Sequence, residues 1–183
     1  CHLTTFRALA TGVTSGLVEF VNDSMPISAV LAQHNNSILE FLRKHNPCDD
    51  APDGVEPAAV DRFTKSCAGF CVATYLLGIG DRHLDNIMLK KTGELFHIDF
   101  GFILGKDPKV YLPFRLTKEM AEAMGYPDKD NWNKNFKTKC SQAVKCLRKS
   151  AALIRSLMTL MKDAGISDLK IDPDTALLKM QER

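Results

Sequence analysis

Buried-type positions along the chain follow two rhythms. Across residues 55–77 they recur mostly at steps of three and four: Val60, Phe63, Cys67, Phe70, Cys71, Thr74 and Leu77 line up on one stripe. That spacing is the buried face of a helix. At a rise of 1.5 Å per residue the helix would be about 35 Å long, enough to be the central helix of a domain. Pro57 suits its first turn. The rhythm then changes. Ile87–Lys90 and residues 94–98 are short apolar runs separated by Lys91, Thr92 and Gly93, the pattern of a β-hairpin.

Upstream, residues 3–9 and 17–21 read as extended segments around a turn at Gly12 to Gly16, and Asn22, Asp23 and Ser24 break the chain. Pro26 opens a short helix over 27–32, and Ser37 is placed to cap a second over Ile38–His45. Residues 46–54, rich in Pro and Asp, form a surface loop. Downstream, 102–116 is irregular and of a length that usually signals function or disorder. Thr117 caps a helix to about residue 124. Further helices are predicted over 132–149 and 151–164, with a kink near Ser150, and over 173–181. Leu153, Leu157, Leu160 and Met161 supply the stripe of the second of these three. The sum is an α+β chain, mainly helical, with one short hairpin.

Composition narrows the function classes. With 183 residues, 45% apolar and 25% charged, the chain suits one soluble domain with a sizeable core. A net charge of +2 is too small to imply a nucleic-acid partner, and none is expected. The six cysteines form no C-x-x-C pair and no zinc-finger spacing. They read as reduced thiols, with Cys67 and Cys71 packed in the core one turn apart. The longest weakly polar run, 70–80, is far short of the ~20 residues that span a bilayer, so membrane contact is expected to be peripheral. The Cys start, with no signal-peptide pattern, suggests a piece of a longer chain.

Candidate chemistry concentrates in residues 78–105, GIGDRHLDNIMLKKTGELFHIDFGFILG. Gly78-Ile79-Gly80 is not a dinucleotide fingerprint, because no strand precedes it and no third Gly follows. Asn86 enters the first hairpin strand and Asp99 leaves the second, so the turn brings an amide oxygen and a carboxylate together. Such hard oxygen donors suit Mg²⁺ beside substrate phosphates. Phe100 and Gly101 complete Asp-Phe-Gly, and Asp81 precedes Asn86 at the D-x-x-x-x-N spacing of kinase catalytic loops. A lone Asp-Phe-Gly is weak; D-R-H-x-x-N followed after a hairpin by H-I-D-F-G is a strong combination.

On these residues the chain resembles the phosphatidylinositol 3-kinases, in which Asp-Arg-His replaces the His-Arg-Asp of protein kinases. SCAGFCVATYLLGIGDRHLDN and FHIDFGFILGKDPK are most similar to the class III branch. The resemblance covers nearly the whole chain and implies the C-terminal lobe of a protein-kinase-like lipid kinase over residues 1–183. It implies ATP and Mg²⁺ or Mn²⁺ as cofactors and phosphatidylinositol as substrate, phosphorylated on its 3-hydroxyl. His83 would accept the hydroxyl proton, with Asp81 its supporting carboxylate or itself the base. Arg82 would be a structural or phosphate-facing cation, and Asn86 and Asp99 the metal ligands. His97 would orient Asp99, approach phosphate or simply brace. Asp85 has a solvated or bracing role, and His2, His34 and His45 are expected at the surface.

The loop beyond Gly101 should meet the lipid headgroup. Its Lys106, Lys109 and Arg115 are spread out, whereas class I relatives carry a dense basic cluster, so the spacing favours unphosphorylated inositol. Val110 to Phe114 departs from the proline-rich run usual in class III. The resemblance also implies a regulatory protein-kinase-like subunit and action in the cytoplasm on endosomal or autophagic membranes. No Gly-rich phosphate loop and no strand Lys of the V-A-I-K kind occur, which predicts weak ATP binding by this stretch alone. The competing readings are a protein-kinase lobe, against which stand the reversed Asp-Arg-His and the missing A-P-E, a non-catalytic kinase-lobe module, and another phosphatidylinositol kinase class.

Overall fold

A computed structural model describes residues 3–105, 107–108 and 113–161. Three short strands and then two short helices precede one long helix. Ala8–Ala10 (β1) and Gly16–Val18 (β2) form an antiparallel hairpin exposed at every position. Ser24–Pro26 (β3) leads into Ile27–Gln33 (α1), with Pro26 as its N-cap. Ile38–His45 (α2) starts at Ser37, whose hydroxyl accepts the Glu40 amide at 3.2 Å, supplying one of the partners that a helix start lacks.

The long helix is Pro57–Leu77 (α3), with Pro57 in its first turn. Phe63, Cys67, Phe70, Cys71 and Thr74 are buried, as the stripe predicts, while Val60 and Leu77 are half-buried. The helix ends at Gly78, which adopts φ +58, a left-handed conformation that glycine takes without a Cβ penalty. A hydrogen bond to Cys71, together with burial, pushes the Cys67 thiol well above its usual range, and burial pushes Cys140 up to about 12. These protonated thiols pack as small apolar side chains.

After α3 the chain forms Ile87–Lys90 (β4) and Leu95–His97 (β5), paired antiparallel with Ile87 opposite His97. β3 adds on the other side, Pro26 opposite Met88, giving the order β3-β4-β5. β3 departs from the predicted chain break at Asn22 to Ser24. The break covers Asn22 and Asp23, and Ser24 already belongs to the strand, a three-residue edge strand that exists only by pairing with a partner 62 or more residues away. Ile87, Leu89, Leu95 and Phe96 belong to one core with Ile27, Val30, Phe41 and Leu42 and with Phe63 and Cys67 of α3. Ser66 on α3 accepts the Leu95 amide at 2.9 Å. That amide lies on the open edge of β5, so the helix caps the sheet edge.

Beyond the sheet, Lys118–Ala123 (α4) starts at Thr117, whose hydroxyl accepts the Met120 amide. The helix predicted to start at residue 132 begins earlier and is not uniform. It runs as Lys129–Trp132 (α5), a π-helical turn Asn133–Lys137, and Thr138–Lys149 (α6). Lys139 on α6 is paired with Asp61 on α3 at 2.9 Å. Ala151–Met161 (α7) follows a break at Ser150. Its stripe is not buried: Leu153, Leu157, Leu160 and Met161 are exposed. The helix predicted over 173–181, like the end of the one predicted over 151–164, lies outside the described residues. His34 is a further departure, because it is buried edge-on against Phe41 at 5.4 Å between ring centres, where a surface position was expected. His45 is half-buried and His2 lies outside the described residues.

Candidate active site

The end of α3, the β4-β5 hairpin and the strand ends define one small region. Gly80 donates its amide to Phe102 O, and Leu104 and Gly105 donate to Leu77 O and Gly78 O, each at 2.9 Å. The segment after Gly101 is thereby laid along the segment before Asp81. Ile98 donates its amide to Asn86 O at 3.0 Å, joining the start of β4 to the end of β5. The hairpin therefore brings the two loops together, and residues distant in sequence become neighbours.

Arg82 locks this meeting point. Its guanidinium donates to Gly80 O at 2.8 Å, to Ile98 O at 2.7 Å, and to Asp99 O through a short hydrogen bond. A planar fork of donors can reach three carbonyls on two loops at once. The side chain is buried, and its far face lies 5.7 Å from the centre of the Phe100 ring. Burial pulls its pKa below the usual guanidinium range, while the charges of Asp99, Asp81 and Asp107 oppose that pull. Its donors are engaged by backbone carbonyls of the two loops.

The acidic and amide groups are arranged around it. Asp81 and Asp99 both sit at positive φ, +53 and +56. Asp is among the residues that tolerate this region, at a cost of about 1–2 kcal/mol, and such positions cluster at functional sites. Asp99 Oδ1 accepts the Gly101 amide at 3.2 Å, tightening the exit from β5. Asn86 is buried and donates its Nδ2 to Asp81 O at 3.1 Å, which leaves its amide oxygen as the remaining acceptor. His83 lies between two carboxylates, with Nε2 3.7 Å from Asp81 Oδ2 and Nδ1 3.6 Å from Asp85 Oδ2. Its ring is partly exposed.

His97 is buried, stacked on Phe70 at 4.7 Å, with Nδ1 3.4 Å from Thr74 Oγ1. Burial first, and the Arg82 charge second, hold its pKa down to about 3. It is a neutral brace between α3 and β5. Asp85 braces as well, to Ser28, a residue for which the sequence carried no signal because it lies 57 positions away. Arg115 is half-buried, and its Nε is buried with no hydrogen-bond partner among the described residues. Lys106 and Lys109, the other two basic residues of the substrate loop, lie outside the described residues.

The donor set fits a divalent cation in a particular way. One carboxylate and one amide oxygen are hard ligands. Among the described residues no group of three or more His, Cys, Asp or Glu could hold a metal ion by itself. A cation here would therefore share its shell with ligands from elsewhere, as Mg²⁺ does when it bridges protein and nucleotide phosphates.

An α+β arrangement in which D-R-H-x-x-N and D-F-G meet across a hairpin has the form of a kinase-like site, and family comparison agrees. The chain belongs to the phosphatidylinositol 3- and 4-kinase family, which matches residues 1–171. It is 47% identical over its whole length to the phosphatidylinositol 3-kinase pik3 of Schizosaccharomyces pombe, covering 23% of that protein. To the phosphatidylinositol 3-kinase VPS34 of Saccharomyces cerevisiae it is 44% identical over 99% of the chain and 20% of the relative. To the phosphatidylinositol 3-kinase catalytic subunit type 3 of Caenorhabditis elegans it is 40% identical, again over 99% of the chain and 20% of the relative. The resemblance to the class III branch is thus supported across this whole stretch. The chain spans only about a fifth of the length of these relatives. Among the described residues no helix is long and apolar enough to cross a membrane.

Proposed function

We propose that residues 1–183 are the C-terminal lobe of a lipid kinase catalytic domain. The whole protein then transfers the γ-phosphate of ATP to the 3-hydroxyl of phosphatidylinositol, giving phosphatidylinositol 3-phosphate. The observation that carries this reading is the joining of the two loops. Ile98 bonds to Asn86, and Arg82 ties Gly80, Ile98 and Asp99 together, so that Asp81, His83, Asn86 and Asp99 share one small region. Relatives at 40–47% identity bear the name phosphatidylinositol 3-kinase.

The residues divide the work by their chemistry. Asp99, through its carboxylate, and Asn86, through its amide oxygen, hold Mg²⁺ or Mn²⁺. The cation, when bound, neutralises charge on the nucleotide phosphates. His83 accepts the proton of the attacking hydroxyl, because imidazole is the side chain whose ordinary pKa lies nearest neutrality. Asp81 supports it. Arg82 keeps the two loops in register and does not touch substrate. The sparse basic residues Lys106, Lys109 and Arg115 suit an inositol ring with no extra phosphates. Peripheral contact with endosomal or autophagic membranes and a regulatory protein-kinase-like subunit rest on the resemblance to the class III branch alone.

The test uses the full-length enzyme with ATP and vesicles of phosphatidylinositol or its phosphorylated forms. Transfer is expected to phosphatidylinositol only; strong turnover of the bisphosphate lipid would overturn the assignment. Asp99→Ala is expected to abolish transfer while leaving the melting temperature close to that of the parent. Metal-dependent activity retained in that variant would remove Asp99 from the metal site.

A further inference from the structure

The stretch around α6 carries a charge surplus that the rest of the chain lacks. Residues 131–161 hold Lys134, Lys137, Lys139, Lys145, Arg148, Lys149 and Arg155 and no acidic residue. The whole chain has 24 basic and 22 acidic residues, so everything outside this stretch is net acidic. α6 sorts its positions by turn. Cys140, Ala143, Val144 and Leu147, spaced three and four apart, form its shielded side: Ala143 is buried and the other three are half-buried. Lys145, Arg148 and Lys149 fall away from that side and are exposed, as are Lys134 and Lys137 before them. Among the described residues none of these five pairs with a carboxylate. Lys139 turns inward instead, to Asp61 near the start of α3, whereas the candidate active site lies beyond the other end of that helix.

α7 sets an apolar surface beside this charge. After the break at Ser150, Leu153, Leu157 and Leu160 recur at steps of four and three, and all are exposed, Leu160 by 78%. Adjoining apolar side chains left in water on a folded chain mark a contact with another surface. With 11 residues α7 is about 16 Å long, too short to cross a bilayer but able to lie along one. A basic helix followed directly by an exposed leucine stripe complements an anionic lipid surface twice over. Lysine and arginine meet the headgroups, and leucine reaches the acyl boundary. A symmetric pair of copies would set the like charges of two α6 helices close together, which disfavours a second copy as the occupant.

We propose that α6 and α7 form a membrane-docking surface for anionic lipid, apart from the candidate active site. Lys145, Arg148 and Lys149 attract the headgroups, and Leu153, Leu157 and Leu160 enter the interface. The surface reads charge and not one headgroup, so phosphatidylserine serves it as well as phosphatidylinositol. From the lipid-kinase reading it takes only that the enzyme works at a membrane.

The experiment sediments the full-length enzyme with vesicles of phosphatidylcholine and phosphatidylserine that contain no phosphatidylinositol, so docking is read without catalysis. The triple variant Lys145→Glu, Arg148→Glu, Lys149→Glu is expected to bind at least about tenfold more weakly at physiological salt, since each basic residue near an anionic surface contributes roughly fivefold. It should also lose most of the salt dependence of the parent. The double variant Leu153→Ser, Leu157→Ser is expected to weaken binding about tenfold at every salt concentration. Both variants should keep the parental melting temperature and turn over a short-chain, water-soluble phosphatidylinositol at the parental rate. Parental vesicle binding by either variant overturns the proposal, as does an equal loss by the charge variant on phosphatidylcholine alone. A variant that binds vesicles normally but sheds a copurifying subunit places a protein on this face, which also overturns it. So does a fall in melting temperature or in turnover of the soluble lipid, which reports damage to the fold and not lost docking. A parent enzyme that docks through this face yet phosphorylates no phosphatidylinositol leaves the docking surface standing and overturns the lipid-kinase reading instead.

Discussion

Arg82 shows how much one side chain decides here. Its three carbonyl partners belong to two loops, and none of the three is met by a neighbouring strand in the usual ladder way. A Lys at this position keeps the charge but not the planar fork, and it reaches one or two of the carbonyls at most. Arg82→Lys is therefore expected to destabilise the chain by about 2–3 kcal/mol, the worth of a lost charge-assisted hydrogen bond, and to lower activity with it. Urea unfolding alongside an activity assay of the full-length variant checks both. Ser66 is a second case. Its hydroxyl accepts the buried Leu95 amide while donating to Arg62 O and Phe63 O. Ser66→Ala leaves that amide without a partner and should cost about 1–3 kcal/mol, read as a lower urea midpoint with an unchanged slope. The motif made Arg82 visible in the sequence but not the direction in which it points. Ser66 gave no signal at all, because a Ser on a helical stripe reads the same whether or not an edge strand needs it.

The hairpin is the element on which the site depends, and its turn is fitted to α3. Gly93 has φ +104, and a Cβ there would lie 2.6 Å from Ala59 O. Arg62 Nε also donates to Thr92 O at 2.7 Å, holding the turn down on the helix. Gly93→Ala meets both a forbidden backbone region and a backbone oxygen that cannot move away. A loss of about 2–3 kcal/mol is expected, visible as a drop in melting temperature. Unchanged stability would mean that the turn is not seated on α3. Turn residues between two apolar runs made this hairpin legible from local pattern, and α3 was legible from its stripe. β3 was not, since Ser24, Met25 and Pro26 have no strand signature and are held by register with β4. The π-helical turn at Asn133–Lys137 was missed for a related reason: its hydrogen-bond shift leaves the helical rhythm of apolar positions almost unchanged. The α7 stripe is exposed, because periodicity shows that a face is apolar, not that something covers it.

At the scale of the whole molecule, the packing of α3 against the sheet should appear as acid sensitivity. His97 sits in that packing, stacked on Phe70 and touching Thr74, with its pKa held down to about 3 against an ordinary value of 6.5. The folded chain keeps this ring neutral, whereas the unfolded chain protonates it as pH falls through 6.5. Between those two values the unfolded state binds a proton that the folded state refuses, so stability drops with falling pH by about 1.4 kcal/mol per unit. The contribution is complete above pH 6.5. Lowered carboxylates such as Glu94 and Asp23 act at lower pH, near and below the ordinary carboxylate range, so the interval from pH 7 to 5.5 isolates the histidines. Burial also lowers the pKa of His34, and a second variant separates the two. Urea unfolding in metal-free buffer should give the parent chain a clear loss between pH 7 and pH 5.5. His97→Phe keeps the ring stack but cannot titrate, so it should lose less over the same interval even though it starts from a lower stability. If the two curves fall in parallel, the proton enters elsewhere, and the His97 ring is not the neutral brace that its surroundings require.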